Sequence, residues 1–171
     1  SNKIVIAMRF DNIKKKMLDN LFDELKVLNP TKPIKLILCG KGPLMKHYIK
    51  VSEKIHNNNK NIEFNFLGEI SSISQMNEIY SDSFIVVGHG RGILEAMALG
   101  KPVILLHFDS SGSSLITKNN IHNIAEFNFS GRNIIEPSLS LKDCIDKFFE
   151  NESFFVKIGE ENLKYINQNY D

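Results

Sequence analysis

Two apolar runs with a glycine-rich turn between them constrain the fold of this chain most strongly. The runs cover residues 84–87 and 103–106, and both have the composition of buried strands. Gly88, Gly90 and Gly92 follow the first run, and a short stretch of helix-forming residues separates them from the second. A strand, a turn, a helix and a strand make up a βαβ unit, so this segment predicts a parallel sheet.

The glycine-rich turn also has the features of an anion site. Glycines let backbone N–H groups approach a ligand closely, and the helix that follows points its positive end at the same place. We therefore predict a phosphate at residues 90–92, with Arg91 beside it. Glu95 lies about one helical turn further on and would accept hydrogen bonds from ligand hydroxyls. Alternatively, the glycines have no ligand and only permit a tight turn, and the side chains of Arg91 and Glu95 are solvated.

Segments with strand-like and helix-like patterns alternate along the rest of the chain. Apolar runs predict further strands at residues 4–7, 34–39 and 62–67, and amphipathic stretches follow them. The alternation predicts an α/β fold, a Rossmann-like three-layer αβα sandwich with a parallel sheet covered on both faces. Residues 109–114 are predicted to form a polar, mobile loop, whereas residues 121–135 show no clear periodicity.

Four of the predicted turns come directly after strand ends. They contain Arg9, the pair Gly40 and Gly42, Ile70, and residues 88–92. Ligands of parallel α/β sheets bind at the carboxyl ends of the strands, so these turns should converge at one edge. This convergence favours a ligand site over a purely structural role for the glycines.

Composition excludes several classes of function. The chain has 171 residues, enough for one domain with a substantial core, and its net charge of +1 does not favour nucleic acid as a partner. No apolar run approaches the roughly 20 residues of a membrane span. Cys39 and Cys144 lie in apolar segments and indicate buried thiols in a reducing, cytoplasmic setting. No metal-ligand spacing is present, so we expect no metal cofactor.

Other motifs are incomplete. The turn at residues 40–42 lacks the third glycine of a dinucleotide-binding fingerprint, because Met45 occupies that position. Neither a phosphate-binding P-loop nor the G-x-S-x-G motif of serine hydrolases occurs. Of the five histidines, His89 is the one within the glycine-rich turn, and we predict that it contacts the ligand.

Several segments, in order, resemble the donor-binding, C-terminal half of GT-B glycosyltransferases, especially family-4 retaining enzymes. Residues 7–14 are similar to G-R-L-x-x-x-K, residues 40–44 to G-x-G-P-L, residues 66–68 to F-L-G, residues 94–103 to L-E-A-M-A-x-G-x-P-V, and residues 159–165 to the terminal helix. The resemblance covers essentially the whole chain. It implies that residues 1–171 form one donor-binding domain, a fragment that is inactive alone because the N-terminal acceptor domain of the enzyme is absent.

The resemblance also implies roles for individual residues. Arg9 and Lys14 would contact the donor diphosphate and stabilise the leaving group, where negative charge develops. Glu95 would bind the ribose hydroxyls, and the main chain near Ile70 would face the base. The donor-binding residues would be Gly40, Gly42, Ile70, Gly88, His89, Gly90, Arg91, Gly92 and Glu95. The reaction would transfer a sugar, with retention and without a metal, from a nucleotide sugar, expected to be a UDP-sugar, to an unknown acceptor.

One position departs from the family pattern. Val87 replaces a glutamate that contacts the donor sugar, so His89, Arg91 or the backbone would take over that contact. Two alternatives stay open: a non-hydrolysing nucleotide-sugar 2-epimerase and a non-catalytic nucleotide-binding module. An epimerase would carry a T-E-R-P-E-like segment where this chain has residues 107–111. Peripheral membrane contact of the full protein is a further expectation from the resemblance.

Overall fold

The computed structural model describes residues 1–135 and 137–170. Within them, six strands alternate with seven helices. The strands are β1 (Lys3–Ala7), β2 (Ile34–Cys39), β3 (Ile62–Gly68), β4 (Ile85–Gly88), β5 (Val103–Leu106) and β6 (Ser113–Leu115). The helices are α1 (Lys15–Lys26), which follows a 3-10 turn (Asn12–Lys14), α2 (Met45–Asn58), α3 (Ile73–Ser81), α4 (Gly92–Ala98), α5 (Ile121–Glu126), α6 (Leu141–Phe148) and α7 (Glu152–Asn169).

The strands form one sheet in the order β3-β2-β1-β4-β5-β6. Strands β1 to β5 are parallel, whereas β6 runs antiparallel to β5. The predicted α/β, Rossmann-like fold with a parallel sheet is confirmed, and β6 adds one antiparallel strand at its edge.

The prediction of a polar loop over residues 109–114 is also wrong at its end. Ser113 and Ser114 lie in β6 and are buried. The Ser113 hydroxyl donates to the Glu24 carboxylate at 3.0 Å, and the Ser114 hydroxyl lies 2.7 Å from His107 Nε2. Because each hydroxyl has a partner, two polar side chains can be buried in a strand.

The sheet has a hydrophobic core on each face. Along β1, Ile4 and Ile6 point to the core that includes Leu18 of α1, and Val5 points to the core that includes Met97 of α4. Helices α1, α2 and α6 contribute to the first core, and α3, α4 and α5 to the second. The three layers of the predicted sandwich are therefore present. Among the described residues, no helix has both the length and the hydrophobicity that crossing a membrane requires.

Hydrogen bonds between loops hold three strand ends together. The Met8 N–H donates to the Cys39 carbonyl at 3.0 Å, and the Gly40 N–H donates to the Gly68 carbonyl at 2.7 Å. The Phe10 N–H likewise donates to the Lys41 carbonyl. As a result, the loops after β1, β2 and β3 form one connected platform at the carboxyl edge of the sheet.

Candidate functional site

A cleft of about 620 Å³ opens at the carboxyl ends of β1 to β4. Its lining comes from the four loops that follow these strands and from α3, and consists of Ala7, Met8, Arg9, Lys14, Cys39, Gly40, Lys41, Glu69, Ile70, Met76 and His89. The four predicted turns thus converge. Five predicted site residues share this lining, namely Arg9, Lys14, Gly40, Ile70 and His89.

Basic side chains dominate the polar part of the cleft. Arg9 is exposed, and its Nε lies 3.6 Å from the Asp11 carboxylate. Asp11 also accepts the Lys14 N–H at 3.2 Å, which caps the 3-10 turn and fixes the backbone that carries Lys14. Lys41 pairs with Glu69 at 2.8 Å, and this pairing lowers the pKa of the Glu69 carboxyl. Arg9 and Lys14 are therefore placed to receive a negatively charged ligand.

His89 lies half-buried next to these cations. Burial, followed by the charges of Lys14 and Arg132, lowers its pKa to about 4. The ring is consequently neutral near pH 7. A neutral imidazole offers one donor and one acceptor, so His89 can hydrogen-bond to a ligand without adding charge.

The opposite end of the cleft is apolar. Cys39, Ile70 and Met76 line it, and burial raises the pKa of the Cys39 thiol to about 11, so the thiol stays protonated. Tyr80 packs in the same core as these three residues, and its hydroxyl lies 3.5 Å from the Gly92 carbonyl. Burial, followed by the charge of Glu95, raises the pKa of Tyr80 to about 12. This end offers an apolar surface of the kind that a flat heterocycle covers.

Gly40 and Gly42 allow two loops to approach each other. A Cβ atom on Gly40 would lie 1.7 Å from the Met8 carbonyl oxygen, and one on Gly42 would lie 2.3 Å from that of Phe10. The structure therefore requires both glycines for packing. Gly42 does not line the cleft, whereas Gly40 does.

The turn between β4 and α4 differs from the predicted phosphate cradle. The Gly90 N–H donates to the Phe129 carbonyl at 2.6 Å, so this amide already has a partner. Gly92 is the first residue of α4, and a Cβ atom there would meet nothing within 4 Å. The members of this segment outside the lining are Gly88, Gly90, Arg91, Gly92 and Glu95. Their predicted ligand contacts stay predictions, and the Cβ positions of Gly90 and Gly92 both face open space.

Sequence reasoning missed several residues around the cleft. Lys41, Glu69 and Met76 belong to its lining, and the position of the first two just after strand ends could have indicated them. The charge of Arg132 contributes to the lowered pKa of His89. Sequence reasoning missed Arg132 because it lies in residues 121–135, where the sequence shows no clear periodicity. Val87 is fully buried between β1 and β5, so its side chain cannot reach a ligand in the cleft.

A second groove, of about 530 Å³, lies between α2 and the edge strand β3. Ile49, His56, Phe64 and Phe66 contribute to its lining. It lies away from the carboxyl ends of the parallel strands, where ligands of such sheets bind. Within the described ranges, no three His, Cys, Asp or Glu side chains are grouped as metal ligands.

Comparisons with known proteins agree on one family and one fold. The family model described as Glycosyl transferases group 1 matches residues 1–167. A search of curated proteins found no match. Among solved structures, the catalytic domain of cholesterol-alpha-glucosyltransferase from Helicobacter pylori is similar, with a TM-score of 0.62 and 21% identity over 98% of this chain and 99% of that one.

Two further structures contain a nucleotide. Anabaena HepE in complex with UDP and glucose has a TM-score of 0.67 and 20% identity, covering 100% of this chain and 45% of HepE. S. aureus MnaA with UDP has a TM-score of 0.54 and 16% identity, covering 94% of this chain and 40% of MnaA. At these identities the likeness establishes the fold. The chain spans less than half the length of these two proteins.

Proposed function

Because the chain belongs to the glycosyl transferases group 1 family, we propose that its cleft binds the nucleotide part of a nucleotide sugar, the donor in a glycosyl transfer. One observation carries the proposal: four loops bring an apolar surface and the basic side chains of Arg9 and Lys14 together in one cleft of about 620 Å³. An apolar surface suits a base, and cations suit a diphosphate. The UDP in the similar HepE structure supports uridine as the base.

In this proposal, the donor lies along the carboxyl edge of the sheet. The base covers Ile70 and Met76, and the diphosphate contacts Arg9 and Lys14. Glu95 receives hydrogen bonds from the ribose. Its charge contributes to the raised pKa of Tyr80, which packs in the same core as Ile70 and Met76.

The cations also have a role in the chemistry. Transfer breaks the bond between the anomeric carbon and the phosphate oxygen, and the electron pair stays on the leaving diphosphate. Arg9 and Lys14 stabilise that charge in the transition state. We propose that they do so without a metal and that the sugar retains its anomeric configuration. We further propose that the chain is the donor-binding domain of its enzyme and that a separate domain binds the acceptor.

A binding role without catalysis is the second candidate. The buried aliphatic side chain of Val87 favours it, because no acidic group from β4 reaches the cleft. Transfer of sugar by the full-length protein would exclude this candidate, whereas tight nucleotide binding without turnover would support it.

Calorimetric titration tests the donor proposal. UDP, GDP, ADP, CMP and dTDP are titrated, with and without Mg²⁺, into the wild type and into the Arg9→Ala and Lys14→Ala variants. Lys46→Ala, which removes an exposed charge from α2, is the matched control. We expect one diphosphate to bind independently of Mg²⁺. Each cleft variant should weaken it roughly tenfold, or about 1.4 kcal/mol, because each removes a charge-assisted contact.

Two outcomes would contradict the proposal. In one, the full-length protein binds none of the nucleotides. In the other, the Arg9 and Lys14 variants bind as tightly as Lys46→Ala, which would place the nucleotide elsewhere on the molecule.

A further inference from the structure

Residues 128–133, which follow α5, have an unusual backbone. Asn128, Phe129 and Asn133 adopt positive φ angles of 55°, 57° and 53°. For Phe129 this costs on the order of 1–2 kcal/mol relative to an ordinary conformation, whereas asparagine adopts it more readily. Strained residues persist where the surrounding structure fixes them, and they cluster at functional sites. We therefore asked what holds this segment and what it carries.

The segment is attached to the carboxyl ends of two strands. The Phe129 carbonyl accepts the Gly90 N–H just after β4, and the Gly131 carbonyl accepts the Phe108 N–H at 2.9 Å just after β5. A Cβ atom on Gly131 would lie 2.1 Å from the Leu106 carbonyl oxygen, so the two backbones are in close contact. The segment is thus positioned at the same sheet edge as the cleft.

This attachment places the exposed side chain of Arg132 at the sheet edge where the cleft opens, outside the lining itself. The Arg132 guanidinium lies over the Phe108 ring, 3.9 Å from its centroid. Stacking on an aromatic face orients a guanidinium and leaves its N–H groups available to a ligand. The nearby Asp109 carboxylate accepts the Asn133 N–H at 3.3 Å. Arg132 interacts electrostatically with His89, which lines the cleft.

The order of the strands in the sheet determines which part of a bound donor would lie near Arg132. From β3 to β5, the sheet edge carries Ile70, then Lys14, then His89, and then the segment with Arg132. A donor with its base at Ile70 and its diphosphate at Lys14 extends its sugar toward His89 and Arg132. The acid in the cleft lining, Glu69, lies at the opposite end and pairs with Lys41.

We propose that Arg132 determines donor specificity by binding a carboxylate on the sugar, so that the donor is a nucleotide-linked uronic acid. This inference rests on the proposed function, because it concerns the sugar end of the same cleft. Arg9 and Lys14 already supply two cations for the diphosphate. Arg132 is a third cation, which lies beyond His89 along the sheet edge and is therefore suited to a separate anionic group. Its planar guanidinium can donate two hydrogen bonds to a carboxylate.

The test compares donors that differ in one carboxylate. UDP, UDP-glucose and UDP-glucuronate are titrated calorimetrically into the full-length wild type and the Arg132→Gln, Arg132→Lys and Lys164→Gln variants. GDP, GDP-mannose and GDP-mannuronate form the same series for a guanosine site. Lys164 is exposed on α7 and is the charge-matched control. Thermal unfolding of each variant checks that it is folded.

We expect the wild type to bind the uronic-acid donor about tenfold more tightly than the neutral one. Arg132→Gln should remove this preference while leaving the affinity for UDP unchanged, and Arg132→Lys should retain part of it. Equal binding of both donors by the wild type would overturn the inference and leave the proposed function intact. Equal weakening of all three ligands in Arg132→Gln would also overturn it, because Arg132 would then contact the diphosphate. Binding of no ligand in either series would overturn the inference, and binding of none of the five nucleotides titrated above would overturn the proposed function as well.

Discussion

At the residue scale, His89 combines a half-buried ring with two nearby cations. Its pKa in the folded protein, about 4, lies below its ordinary value of 6.5. The folded state therefore binds the proton more weakly than the unfolded state. The stability from the neutral ring is fully present above about pH 6.5 and is lost as the pH falls toward 4.

We predict that the wild type loses stability more steeply than His89→Gln between pH 6.5 and pH 4. Urea denaturation of both proteins at several pH values in this interval measures the difference. Comparing the two proteins cancels the titration of the carboxyl groups, which they share. Parallel pH profiles would show that His89 titrates normally in the folded state.

A substitution at Gly40 tests the close packing between the loops after β1 and β2. Gly40→Ala should lower the free energy of unfolding by about 3 kcal/mol or more, because the new methyl group overlaps the Met8 carbonyl and the φ of 142° suits only glycine. Gly68→Ala is the matched control, with a φ of 75° and nothing within 4 Å of its Cβ position. It should cost only about 1–2 kcal/mol of backbone strain. Equal costs in urea denaturation would contradict the packing argument.

The residues around the cleft differ in how well the sequence alone predicts their position. Arg9 and His89 were predictable because each closely follows an apolar run, and strand ends meet at one edge in a parallel sheet. Lys14 was predicted only from the resemblance to glycosyltransferases. Arg132 was not predictable, because its position depends on the attachment of residues 128–133 to Gly90 and Phe108. Those bonds join distant parts of the chain and leave no periodic pattern.

At the scale of elements, β6 shows how a polar segment becomes a strand. The Ser113 hydroxyl donates to Glu24 of α1 and accepts the Leu141 N–H, at the start of α6, at 2.8 Å. Glu24 also accepts the Lys142 N–H at 3.2 Å, so α1, β6 and α6 share one polar junction. The Glu24 partner lies 89 residues away in sequence, which is why local patterns predicted a loop.

This junction gives a stability prediction. Ser113→Ala should destabilise the protein by about 1–3 kcal/mol, because the buried Leu141 N–H loses its acceptor. Ser111→Ala is a suitable control, since Ser111 is exposed in the loop before β6. Thermal or urea unfolding measures both. Similar stabilities for the two variants would mean that water replaces the lost hydroxyl.

At the scale of the whole molecule, alternation of strands and helices was sufficient to predict the fold class. Buried parallel strands are continuous apolar runs, and the runs in β1, β2, β4 and β5 are clear in the sequence. The edge strand β3 alternates instead, with Phe64 and Phe66 more buried than Glu63 and Asn65. Cleft geometry was less predictable, because it depends on contacts between loops. In the proposed function, the choice of base, sugar and acceptor depends on a few such contacts.

The measurement that tests the central claim most directly is an NMR titration of the ¹⁵N-labelled chain with UDP. We predict shifts at the backbone amides of residues 8–14, 40–41, 69–70 and 89, the loops that surround the cleft. Shifts confined to residues 49–56 and 63–66, around the groove between α2 and β3, would contradict the claim. An unchanged spectrum with UDP, GDP, ADP, CMP and dTDP, each at millimolar concentration, would contradict it equally.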